Sequence, residues 1–186
     1  SVSFFSRDGA EHAHPERPPW MGVPEDEVGV AVPMRPAIVQ QGDWAVGIAA
    51  LTAFRFGFVA ALAIRGRKED DRSWPQGLLR GAPQPDELHY GFDLGEQGSV
   101  SNVTGTQTAI LGAMAGVPSG PVMMPGGGGG GGKSFTMNLW VWPLPEAELS
   151  AVVKWEERGI SETHLDLDAQ ALRAASTETL VLWNEE

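Results

Sequence analysis

The chain has 186 residues, 42% hydrophobic and 20% charged, and a net charge of −11 carried mostly by residues 81–186, with fourteen acidic side chains against four basic. That composition fits one globular domain able to bury roughly two thirds of its unfolded surface, and the acidic half repels nucleic-acid phosphates and anionic lipid, so neither nucleic acid nor a membrane is an expected partner. The absence of cysteine excludes a disulfide framework, a thiolate metal site and cysteine nucleophilic catalysis.

Residues 1–26 are polar and proline-rich without a usable period, which predicts an extended arm pinned by Trp20 or by Phe4 and Phe5. No basic stretch leads into an apolar one there, so nothing marks secretion and a cytoplasmic location is expected. His12 and His14 can pick up metal adventitiously, but an arm is a poor catalytic platform. Residues 27–186 read as a single domain.

From residue 27 the pattern turns to period two. "EVGVAV" alternates, and "DWAVGIAALTAF" places Trp44, Val46, Ile48 and Ala50 on one face of a strand. "FGFVAALAI" does the same with Phe56, Phe58, Ala60, Leu62 and Ile64, and the short "FRFG" between the runs suits a hairpin. The rival is a membrane helix over residues 44–64, which carry one charge, Arg55, and precede the basic "RGRK". Arg55 near mid-membrane costs roughly 2.5–3.5 kcal/mol, and the alanines and glycines weaken the hydropathy. A shift of 91 positions weighs further against it. Trp44, Val46, Ile48 and Ala50 fall on Phe135, Met137, Leu139 and Val141, and Phe58, Leu62 and Ile64 fall on Leu149, Val153 and Trp155. Pro143, Pro145, Glu146, Glu148 and Lys154 prevent the second copy from being a membrane helix. Two pseudo-repeats, about 28–94 and 119–185, each predict a β-hairpin followed by a further strand ("LHYGF" and "TLVLW").

Between the copies, residues 98–118 predict one or two strands or a loop-rich crossover. There follows "PGGGGGGGKSF", which matches the phosphate-loop pattern through Gly127, Gly132, Lys133 and Ser134. A phosphate loop needs a strand before the glycines and a helix after them, so that amides and dipole converge on the anion. Here Pro118, Pro121 and Pro125 precede, and the strand-like "SFTMNLWVW" follows. A flexible surface loop joining two strands is the expectation.

In "SFTMNLWVW" the face opposite Leu139 and Val141 carries Asn138, Trp140 and Trp142. These three are the candidate binding residues: an exposed aromatic platform for a sugar ring or a protein partner, or a second buried layer beneath the arm, with Trp20 and Trp74 as natural covers. Trp44 and Trp155 read as core. In "ETHLDLDAQ" an extended chain projects Glu162, His164, Asp166 and Asp168 from one face, a donor set suited to a divalent cation. The same alternation fits the solvent face of an edge strand whose last aspartate caps a helix. "DLDAQALRAAST" is that helix, with Asp166 or Asp168 as cap and Ala171, Leu172 and Ala175 facing the core. His89, beside Tyr90, reads as a packed or edge residue. Ser119 in "GVPSG" lacks the nucleophile-elbow pattern, so no catalytic residue is assigned.

These elements predict an all-β fold: a two-sheet β-sandwich or flattened barrel from two similar halves, with one short helix near the C-terminus. The pattern "WVWPLP" … "KWEERGI" … "LVLW" resembles uncharacterised proteins of high-GC bacteria; the resemblance covers mainly the last 50 residues, carries no known activity and supports a bacterial, cytoplasmic setting. The expected function is a non-enzymatic interaction or assembly module acting on a protein partner or on a second copy as a homodimer, with no cofactor. The alternatives are a carbohydrate or small-molecule binder using the tryptophans, and a metal-dependent enzyme built on His164, Asp166 and Asp168.

Overall fold

A computed structural model of the chain describes residues 17–69, 83–104 and 116–183. Phe4, Phe5, His12, His14 and Trp74 lie outside the described residues. The first half contributes β1 (Glu27–Val28), β2 (Val30–Ala31), β3 (Ala37–Gln41), β4 (Trp44–Ala53), β5 (Phe58–Gly66), β6 (His89–Asp93) and β7 (Ser99–Ser101). The second contributes β8 (Val122–Gly131), β9 (Ser134–Trp142), β10 (Ser150–Trp155), β11 (Ile160–Asp166), α1 (Ala169–Ser176) and β12 (Leu180–Val181). Among the described residues α1 is the one α-helix, and none is long and apolar enough to cross a membrane.

The strands pair antiparallel throughout. One sheet runs β2–β4–β5–β9–β8, with β3 also pairing β4; a second runs β11–β10–β6–β7; β1 and β12 form a small ribbon. The fold is therefore mainly β, a sandwich of two open sheets rather than a closed barrel.

Period-two alternation builds the core because successive side chains point to opposite faces of a strand. Val46, Ile48, Leu62, Ile64, Met137 and Leu139 fill the inner face of the large sheet, each essentially without exposure. Phe92, Val153 and Trp155 answer from the small sheet. Two aromatic contacts join the layers. Trp44 meets Trp155 at 5.2 Å between ring centroids, and Phe58 meets Phe92 edge-on at 5.7 Å. Residues 54–57 form the β4–β5 turn, with Phe54 N–H donating to Gly57 O at 2.9 Å.

Four expectations need correction. Ala50 does not face inward: a bulge between Ile48 and Ala50 shifts the alternation by one, so Leu51 and Ala53 are buried in its place. Phe56 sits in the turn, 51% exposed, and does not join the face of Phe58. In the second copy the expected hairpin between β9 and β10 does not form. Its strands fall where the 91-residue shift puts them, but β9 pairs β5 and β8, whereas β10 pairs β6 and β11 in the other sheet. Pro143 and Pro145 lack the N–H groups a ladder needs, so the chain leaves the large sheet after Trp142.

The glycine tract is the fourth correction. It is not a loop: glycines 126–131 are the second half of β8, paired to β9 through a two-residue turn at Gly132 and Lys133. Ordering glycine costs more chain entropy than any other residue, but close approach demands it here. A Cβ on Gly128 would lie 2.8 Å from Thr136 O, and Gly130 adopts φ +144° with its Cβ position blocked by Ser134 O.

Candidate functional site

Trp140 and Trp142 stand on the outer face of β9, away from the inter-sheet core. Trp140 is only 3% exposed, so it forms no open platform. Its indole lies over Gly57, where an added Cβ would come within 2.6 Å of the ring, and Phe54 meets it edge-on at 5.6 Å. The arm closes the site from above. Pro19 O accepts a hydrogen bond from Trp140 Nε1 at 3.1 Å, and the Trp20 ring packs on Trp142 at 5.7 Å. Trp142 is half-buried, whereas Asn138 is exposed, so the three candidate binding residues do not present one common surface.

The proposed metal ligands also separate. Among the described residues no three His, Asp or Glu side chains converge as a cation site requires. β11 is the edge of the small sheet, with Glu162, His164 and Asp166 exposed and Leu165 and Leu167 packed against the core. His164 Nε2 lies 3.7 Å from Glu162 Oε1, an ion-pair separation too long for a good hydrogen bond. Asp168 turns away to cap α1, its Oδ1 accepting from Ala171 N at 2.8 Å.

Sheet geometry instead assembles a shallow groove of about 320 Å³ on the outer face of the small sheet. Gly91 and Val152 form its floor, since Val152 is the cross-strand partner of both Gly91 and His164. Gly91 keeps that floor flat, because a Cβ there would collide with Val100 O. His89 and Lys154 are cross-strand partners at one end, beside Glu162. Lys154 Nζ pairs with Glu156 at 2.7 Å; this contact raises the lysine above its ordinary pKa and lowers the glutamate below its own. His89 Nε2 lies 3.0 Å from Gln84 O, which only accepts, so Nε2 carries the proton and Nδ1 is the nitrogen left for a ligand. No sequence spacing marks this assembly, because its residues come from four different strands.

A second surface is the outer edge of β8. Among the described residues β8 pairs only with β9, so the opposite row of N–H and C=O groups along glycines 126–131 faces outward. Gly127, Gly129 and Gly131 have open space where a side chain would stand. Natural edge strands are commonly blunted by charge, proline or a bulge, yet the six glycines carry none of the first two. From residue 97 to residue 145 the sequence contains one charged side chain, Lys133, although the chain as a whole carries −11.

No protein-family model matches this chain, and neither a curated protein nor a solved structure matches it.

Proposed function

We propose that the chain is a non-enzymatic assembly module that self-associates by adding strand β8 of one copy to β8 of another. The observation that carries the reading is the edge of glycines 126–131, exposed and without a partner strand among the described residues. An exposed edge strand is a template for another strand. Antiparallel pairing about a two-fold axis is self-complementary, and a glycine run has no side chains to clash in any register. The charge distribution supports a second copy as the occupant: residues 97–145, which include β8 and β9, carry no acidic side chain to repel a second copy.

The pairing is weak by itself. Roughly six backbone hydrogen bonds at a net ~0.5–1.5 kcal/mol each stand against an association cost of ~4–15 kcal/mol. Self-association is therefore expected to depend steeply on concentration. The test is solution mass by light scattering over a concentration series, comparing the parent with Gly127→Lys/Gly129→Lys. Both positions have room for a side chain, so the variant keeps the fold while placing like charges opposite each other. The parent should rise from 19.8 kDa towards twice that mass, and the variant should not. A parent that stays monomeric throughout, or a variant that associates equally well, refutes the reading.

A small polar ligand in the groove beside His89 and Lys154 is the second reading, supported by the cavity and its mixed-charge rim. Its test is a thermal-shift screen in which His89→Ala abolishes the response.

A further inference from the structure

The arm does more than cover Trp140 and Trp142; its chemistry indicates what their face is built to hold. Pro18 and Pro19 have fixed φ and no N–H, and Met21 N–H donates to Pro18 O at 2.9 Å, so residues 18–21 close a turn with little chain entropy to lose and carbonyls near the donors beneath it. Trp140 Nε1 takes one of those carbonyls, Pro19 O, and the Trp142 ring takes the next side chain, Trp20. Surfaces that recognise proline-rich segments present the same elements, aromatic rings with an indole donor between them, and here they hold a proline turn.

The fit of the arm is incomplete. Trp20 Nε1 is buried without a hydrogen-bond partner, an arrangement that costs the desolvation of that donor. Beyond Trp20 the arm holds on loosely: Met21 is 37% exposed and Val23 44% exposed. The Arg17–Glu25 ion pair spans 3.7 Å between two largely exposed side chains and adds little. Two residues, Pro19 and Trp20, supply the described grip on the tryptophans, and Trp20 carries an unsatisfied donor.

We infer that the Trp140/Trp142 face is a docking site for a proline-proline-aromatic segment of another protein, held closed in cis by residues 18–20 of this chain. The tethered arm competes at an effective concentration set by its short connection to β1, so a partner must bind better than the arm does. A segment that satisfies the indole donor, or whose aromatic residue has none, meets that condition.

The test uses full-length chains and a fluorescently labelled peptide of sequence RPPWMGVP, read by anisotropy. Trp20→Ala weakens the strap while leaving the sandwich core intact, which near-ultraviolet circular dichroism verifies. The Trp20→Ala chain should bind the peptide roughly tenfold or more tightly than the parent does, because the tethered competitor is weakened. Adding Trp142→Ala, or replacing the peptide's two prolines and tryptophan by alanine, should remove binding; the peptide control stands even if the double variant unfolds. Equal binding by parent and Trp20→Ala, no binding by Trp20→Ala, or retained binding of the alanine peptide overturns the inference. A parent dimer that the peptide dissociates into monomers also overturns it, since the occupant is then the arm of a second copy. Gly127→Lys/Gly129→Lys leaves this site untouched, so a failure of β8 self-association and a failure here are separable.

Discussion

Tyr90 is the chain's only tyrosine, so its ionisation can be observed without interference from any other phenol. It lies in β6 with its side chain turned into the core and 3% exposed, and burial pushes its pKa up to about 12 from the usual 10. Below pH 10 the phenol is neutral in both the folded and the unfolded chain and its titration contributes nothing to the pH dependence. Above pH 10 the unfolded chain releases the proton while the folded chain retains it, so stability falls with rising pH until the folded group titrates near 12. Two pKa units correspond to about 3 kcal/mol, lost across that window. Urea unfolding at a series of pH values from 9 upward, parent against Tyr90→Phe, isolates the effect from lysine titration in the same range. The parent should lose about 3 kcal/mol more than the variant over this window. Phenolate absorbance gives the folded-state midpoint directly, since the seven tryptophans do not ionise there. A midpoint near 10 in folded protein, or parallel stability curves for the two proteins, refutes the burial argument.

The glycine strand should distinguish neighbouring positions sharply. Gly130→Ala forces a side chain into positive φ against Ser134 O and should lower the melting temperature by several degrees, whereas Gly129→Ala, with open space, should match or exceed the parent. Asp168→Ala removes the cap of α1 and should cost about 1 kcal/mol in urea unfolding. Glu27 is buried and accepts from both the backbone N and Nε of Arg55. Arg55→Ala keeps the first bond and loses the second, so a loss of about 2 kcal/mol is expected, and no measurable loss would show that the partly exposed guanidinium contributes little.

Much of the sandwich was legible because burial imposes a period of two on the strands that line it. Val46, Phe58, Met137 and Val153 declare their inward direction through the polar or small residues beside them. The helix was legible for a similarly local reason: Asp168 can satisfy the first free amide, and Leu172 and Ala175 recur at helical spacing. Ala50 escaped that logic because a bulge is one extra residue that alternation alone cannot locate. The candidate site was less legible. Alternation correctly set Trp140 and Trp142 opposite Leu139 and Val141, but whether that face is open depends on an arm more than a hundred residues away.

The sequence by itself determined which side chains face inward along most strands, that a helix follows Asp166 and Asp168, and that no cysteine chemistry occurs. Only the tertiary structure decided which strands meet. Alternation orients side chains relative to their own strand but says nothing about the partner across the ladder; β9 and β10 have matching patterns to β4 and β5 and still lie in different sheets. The same distinction applies to the glycines. Alone they favour disorder, because glycine has the most conformational freedom to lose, but β9 presents backbone groups that need partners and, at Gly128 and Gly130, a surface too close for a side chain. Long-range pairing overrides local preference there, and among the described residues it leaves the outer edge of β8 unpaired.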